Sequence, residues 1–141
     1  MIQIIRKTVL AVAGMLLCAI GSALLLVPQS FLETSNIFVG SDPSLMSEIS
    51  APSSLLLLTG AFMVLGAFKS RLTNRALSIG AVVYGSYGIG RLVSLMLHGL
   101  PSQSLIMAMV IELIAAALLI MLRLTPDPEN RSGAVTLVQT S

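Results

Sequence analysis

Charge is scarce in this chain. Only 10% of its 141 residues are Asp, Glu, Lys or Arg, where a water-soluble globule carries roughly 25%. Most of the surface must therefore face something other than water. A single cysteine, Cys18, excludes an intrachain disulfide, a paired-thiol redox motif and a thiolate zinc cluster. The only histidine, His98, has no second imidazole or acidic cluster at ligand spacing, so no metal and no cofactor are expected. A net charge of only +2, with bases scattered at segment ends, argues against a nucleic-acid partner. There is no nucleophile–base constellation, phosphate loop or haem-ligand pair, so no catalytic residue is assigned. The glycine-rich stretch 85–90 lies inside an apolar run, where a phosphate loop would be out of place.

What is present is hydrocarbon. Hydrophobic residues make up 55% of the chain and gather in four long runs. A helix needs about 20 apolar residues to cross a ~30 Å hydrocarbon layer, with roughly 17 as the lower limit. The runs at about 8–27, 52–68, 76–97 and 105–122 meet this and are expected to be membrane-spanning helices. Pro28, Gly99 with Pro101, and Pro126 end three of them, and Lys69 closes the second. Backbone groups in lipid must satisfy one another internally, which favours helices, and barrel-type alternation is absent. The first run is too long for the core of a cleaved signal peptide. Lipidation at Cys18 is disfavoured because Leu17, rather than a small residue, precedes it. Cys18 reads instead as a small packing residue, in a track with Gly14 and Gly21 that matches Gly60 and Ala67 on the second run. The fold class is all-α: an integral membrane four-helix bundle of residues 1–123, with a short extra helix in the first outer loop.

The connections differ in charge. Arg6 and Lys7 precede the first run, Lys69, Arg71 and Arg75 join the second to the third, and Arg123 and Arg131 follow the fourth. The 28–51 connection holds Glu33, Asp42 and Glu48 with no base, and 98–103 has no formal charge. By the positive-inside rule both termini are cytoplasmic and the first and third connections face outward. Phe31, Leu32, Ile37, Phe38 and Val39 suggest that the long outer connection lies on the membrane surface or at the bundle mouth. Asp42-Pro43 followed by Ser44 to Ile49 reads as a short capped helix leading into the second span. The tail, 124–141, is polar, holds two prolines and is expected to be disordered.

Only Arg91 and Glu112 are charged within the runs. Each would be costly facing lipid and should face protein or water. Arg91 lies ten residues before Pro101 and Glu112 eleven after it. At ~1.5 Å per residue both sit roughly 10–15 Å below the same turn, so antiparallel third and fourth helices would let them pair. Such a pair reads either as a ligand or proton site or as a structural bridge that fixes helix register. Tyr84, Tyr87, Gly88, Arg91, Ser94 and His98 recur at spacings of three or four and share one stripe. That stripe is either a polar cleft opening outward, able to hold a ligand head group, or a polar seam between helices. His98 at its outer end is a titratable candidate or a plainly solvated one. Glu48 is either a second partner for Arg91 at the cleft mouth or a solvated charge at a helix end. The candidate ligand-binding set is thus Glu48, Tyr84, Tyr87, Arg91, Ser94, His98 and Glu112.

Glu48-Ile49-Ser50-Ala51-Pro52, the run 55–68 ending Gly66-Ala67-Phe68, and Gly90-Arg91-Leu92-Val93-Ser94 with Gly99-Leu100-Pro101-Ser102 resemble the bacterial family catalogued as domain of unknown function 4345. The resemblance covers roughly residues 14–122. The family pattern commonly has Arg where Ser50 stands, Gly-Gly at Ser53-Ser54 and Asp at His98, so a charged outer cluster is depleted here while Glu48 and Arg91 remain. The resemblance implies a four-helix bacterial inner-membrane protein and supplies no activity. The leading expectation is a non-enzymatic multi-pass protein, either an accessory bundle or a binder of a small lipophilic ligand around Arg91. Its expected partners are the bilayer, that ligand and a second copy of the chain. The alternatives are a small proton-coupled transporter acting as a dimer, or a membrane enzyme acting on a lipid or quinone.

Overall fold

A computed structural model describes residues 1–125. Five helices follow in order: α1 (Ile2–Leu26), α2 (Pro28–Glu33), α3 (Pro43–Phe68), α4 (Ser70–His98) and α5 (Gln103–Leu124). No strand occurs among the described residues. The four long helices have 25, 26, 29 and 22 residues, about 33–44 Å each at ~1.5 Å per residue, enough to cross a bilayer. All four are apolar enough to do so. Their outward faces carry Val12, Met15, Leu58, Val82, Ile89, Ile114 and Met121, all exposed. So much apolar surface around the whole girth has no place in water and is expected in lipid. This is a membrane protein.

The helices run past the expected spans. α1 starts at Ile2 because nothing between it and Gly14 breaks a helix. The short helix expected at Ser44–Ile49 is not separate. It is the first part of α3, which continues through Pro52. Asp42 caps that helix as expected, its Oδ1 accepting from the Leu45 amide at 2.9 Å. Pro52 deletes one helical hydrogen bond, to the Glu48 carbonyl. Both residues lie on the exposed face, so the gap falls outside the packed core. Around it Ser50, Ser53 and Ser54 donate their hydroxyls to the carbonyls of Met46, Ile49 and Ser50, a back-bonding that lets a helix bend without breaking. The short helix of the first connection is α2 instead, started by Pro28 in its first turn. Of the expected tail, all beyond Thr125 lies outside the described residues.

α1 packs most extensively on α3, and α4 on α5. Small residues set the first of these interfaces. A Cβ on Gly60 would fall 2.6 Å from the Gly14 carbonyl oxygen and 2.7 Å from the Cys18 amide. Cys18 Sγ itself lies 3.7 Å from the Leu57 carbonyl. α3 and α4 are joined by Lys69 alone, whose extended backbone turns the chain back. Thr73 secures the turn by donating its buried hydroxyl to the Gly66 carbonyl at 2.8 Å, one of the last carbonyls that α3 leaves without a helical partner. At the other end Gly99, with φ 88°, stops α4 in a conformation that favours glycine.

Burial is uneven along the bundle. In α4 the buried residues run from Thr73 to Gly88 and none follow; in α5 they are Ala116, Leu119 and Leu122 and none precede. With Leu10 and Met63 most of them form a core toward the end that carries Arg6, Lys69, Arg71, Arg75 and Arg123, and Leu17, Leu56 and Tyr84 extend it toward the other end. Arg6 itself is buried, and its guanidinium bonds the Asn74 side chain of α4. The two helix pairs therefore close on each other at this basic end; at the other end α1 and α3 still touch at Gly21 and Leu57, but the pair stands apart from α4 and α5.

Replacing Gly60 by Ala is expected to destabilise the bundle by about 1–3 kcal/mol, the usual cost of overpacking, because the new methyl meets backbone on the facing helix. Gly90→Ala, where a Cβ meets nothing within 4 Å, is the matched control. Thermal unfolding in detergent should separate the two.

Candidate functional site

α1 and α5 touch little, and between them, at the end away from the basic residues, lies a cavity of about 330 Å³. Leu16, Leu17, Ile20 and Leu24 of α1 form one wall; Leu105, Ala108 and Ile111 of α5 form the opposite one. Leu56 of α3 and Val83 of α4 lie behind. Phe31, Leu32 and Ile37, from α2 and the loop after it, also line it. This puts part of the long connection at the bundle mouth, while Phe38 stays exposed. Polar groups are few: Tyr84, Tyr87, Arg91, Glu112, Ser35 and Ser104.

Arg91 and Glu112 form the ion pair that their spacing about Pro101 anticipates. Arg91 Nε donates to both carboxylate oxygens, at 3.1 and 3.0 Å. The local reason is Gly88, one turn before Arg91. A Cβ there would lie 2.7 Å from Leu113 Cδ2 and 3.3 Å from the Leu113 amide nitrogen, so a larger residue would push the Leu113 side chain aside and crowd α5. Glu112 precedes Leu113 and reaches the guanidinium from this contact. The two side chains are 34% and 15% exposed, so the pair is half-sheltered in the cavity wall. Nε supplies one of the five guanidinium N–H donors. The terminal nitrogens have no acceptor among the described residues.

The rest of the stripe divides. Tyr84 is buried, and its hydroxyl donates to the Ala13 carbonyl of α1 at 2.8 Å; it does not bond the guanidinium or the carboxylate. It braces α4 against α1 beside the cavity. Tyr87 is half-buried in the wall with its hydroxyl unbonded among the described residues. Ser94 is exposed on shallow depressions that share Arg91 with the cavity. His98 is exposed at the end of α4. Glu48 is exposed on α3 and outside the cavity lining. The structure thus brings together Tyr84, Tyr87, Arg91 and Glu112, and leaves Glu48 and His98 apart from them. Sequence reasoning missed the apolar wall from α1. The spacing of Leu16, Leu17, Ile20 and Leu24 marks one helical face, but does not say whether protein or lipid covers it. Among the described residues no group of three or more His, Cys, Asp or Glu could hold a metal ion.

A four-helix membrane bundle, closed at its basic end and split at the other around an ion-paired arginine, is the class of protein that fold and cleft define. The chain belongs to the family described as domain of unknown function (DUF4345), whose family model matches residues 5–123, nearly its whole length. No curated protein and no solved structure matches.

Arg91→Ala should destabilise the bundle, because Glu112 then keeps its carboxylate without a counter-charge in apolar surroundings. Arg91→Leu combined with Glu112→Met should recover most of the loss. A double-mutant cycle on thermal unfolding should give a coupling of about 0.5–3 kcal/mol; additive losses would mean that the pair contributes nothing as a unit.

Proposed function

We propose that this membrane protein holds a small lipophilic molecule, without transforming it, in the cleft beside Arg91. One observation carries the reading: a cavity of about 330 Å³ whose walls are apolar except for a few polar groups gathered near one ion pair. Ligand sites commonly span about 300–1,000 Å³ and combine just these two ingredients, apolar walls for affinity and a few polar groups for orientation. Two tight helix pairs leave the cleft between them, so it belongs to the architecture of the bundle. Because Glu112 is engaged by Arg91, binding is favoured over proton exchange at that carboxylate.

Lipid extracts of the purified protein, read by mass spectrometry, test this. A stoichiometric small lipophile should accompany the native chain and be lost from Arg91→Ala extracted at a temperature where that less stable bundle is still folded. Recovery of bulk phospholipid alone from both would contradict it.

We also infer that the basic end faces the cytoplasm of a bacterial inner membrane, so that the cleft opens outward. The support is the collection of Arg6, Lys7, Lys69, Arg71, Arg75 and Arg123 at one end, against Glu33, Asp42 and Glu48 at the other. In a Cys18→Ala background, Phe38→Cys should react in intact cells with a membrane-impermeant maleimide, whereas Arg71→Cys should react only after lysis. The reverse pattern would invert the orientation.

A further inference from the structure

Which lipophile fits follows from charge. Glu112 lies on the Nε edge of Arg91 and cancels its charge, so the pair as a whole is neutral. An anionic head group entering this wall would be stripped of water and meet no net counter-charge, which is costly in apolar surroundings. A wholly apolar guest would leave the terminal guanidinium N–H groups and the Tyr87 hydroxyl without acceptors, which is costly for a different reason. A neutral oxygen acceptor on an apolar body avoids both losses. It takes hydrogen bonds from donors that carry charge, the stronger kind, and brings no charge of its own. The cavity is at the small end of the usual range, so the apolar body is one short chain or ring system and not a two-chain phospholipid.

We propose that the cleft selects an electroneutral lipophile with a carbonyl oxygen at one end, held by the terminal nitrogens of Arg91 and by Tyr87, its apolar body lying against Leu16, Ile20 and Leu24. A quinone ring and a fatty-acyl ester share this chemistry. The inference rests on the occupied-cleft reading above and narrows it.

Competition binding on the full-length protein in nanodiscs tests it. The probe is a tritiated decyl-benzoquinone, and the competitors are monodecanoylglycerol, decyl phosphate, decyl sulfate and decylbenzene. Monodecanoylglycerol should displace the probe, while the two anions and the hydrocarbon should each need at least about tenfold higher concentration, equivalent to ~1.4 kcal/mol. Unlabelled decyl-benzoquinone is the self-competition reference: an ester that matches it would assign the shared carbonyl, and an ester weaker than it but still stronger than decylbenzene would assign the quinone as the source, either result upholding the selectivity. Glu112→Gln keeps an oxygen for Nε but removes the cancelling charge, so decyl sulfate and decyl phosphate should then become the stronger competitors. Anions winning on the native protein, or decylbenzene equalling the ester, would overturn the selectivity while leaving an occupied cleft in place. No saturable binding of any probe would overturn the occupied cleft itself. Should Glu112→Gln fail to fold, the order of competitors on the native chain decides alone.

Discussion

An arginine inside hydrocarbon has few places to go, and the arrangement of this bundle turns on where Arg91 goes. Lipid offers no acceptors and no screening, so the guanidinium needs a carboxylate within reach. Glu112 supplies it where the neighbouring Leu113 of α5 packs over Gly88. The room at Gly88 and the Arg91–Glu112 pair thus lie one turn apart on the same α4–α5 contact, and the pair leaves the cavity wall electrically neutral.

The same logic of close approach operates on the opposite pair. Gly14, Cys18 and Gly60 bring α1 and α3 backbone to backbone. Packing drives that association, because lipid tails are as apolar as the side chains they would replace and offer no hydrophobic incentive. Two tight pairs are then joined at the basic end by the core of α4 and α5 residues and by the bond from buried Arg6 to Asn74. Toward the other end only Tyr84, bonded to Ala13, links α4 to α1 by a side-chain hydrogen bond among the described residues. Beyond that tie the pairs diverge, and residues 31–37 extend over the gap. The cavity follows from where the small residues lie.

Much of this is legible in the residues. Four spans follow from apolar length, and the Arg91–Glu112 pairing from nearly equal distances to the breaker at Pro101. The Gly14–Cys18–Gly21 track points to close helix packing. What escapes has identifiable causes. Arg6 reads as a flanking charge because a base before an apolar run normally stays wet, yet helix α1 begins four residues earlier and turns it inward to Asn74. Pro52 suggests a helix start, since the sequence pattern alone does not reveal that α3 already begins at Pro43 and runs through it, losing one backbone hydrogen bond on its exposed face. Tyr84 shares the Arg91 stripe in periodicity, but a stripe some 100° wide meets two neighbours, and Tyr84 faces α1 while Arg91 faces α5. The position of Glu48 before the second span suggests the cleft mouth. The continuous helix instead holds it on the exposed face.

If the proposed binding holds, one defined lipophile next to Arg91 occupies the space between α1 and α5, and bilayer does not simply fill it. A benzoylphenylalanine at Ile20, which lines the cavity, compared with one at Val12, which faces outward, addresses it directly. Irradiation in native membranes, followed by intact-protein mass measurement, should give a single small adduct from position 20 and a mixture of phospholipids from position 12. The same phospholipid mixture at both positions would contradict the account.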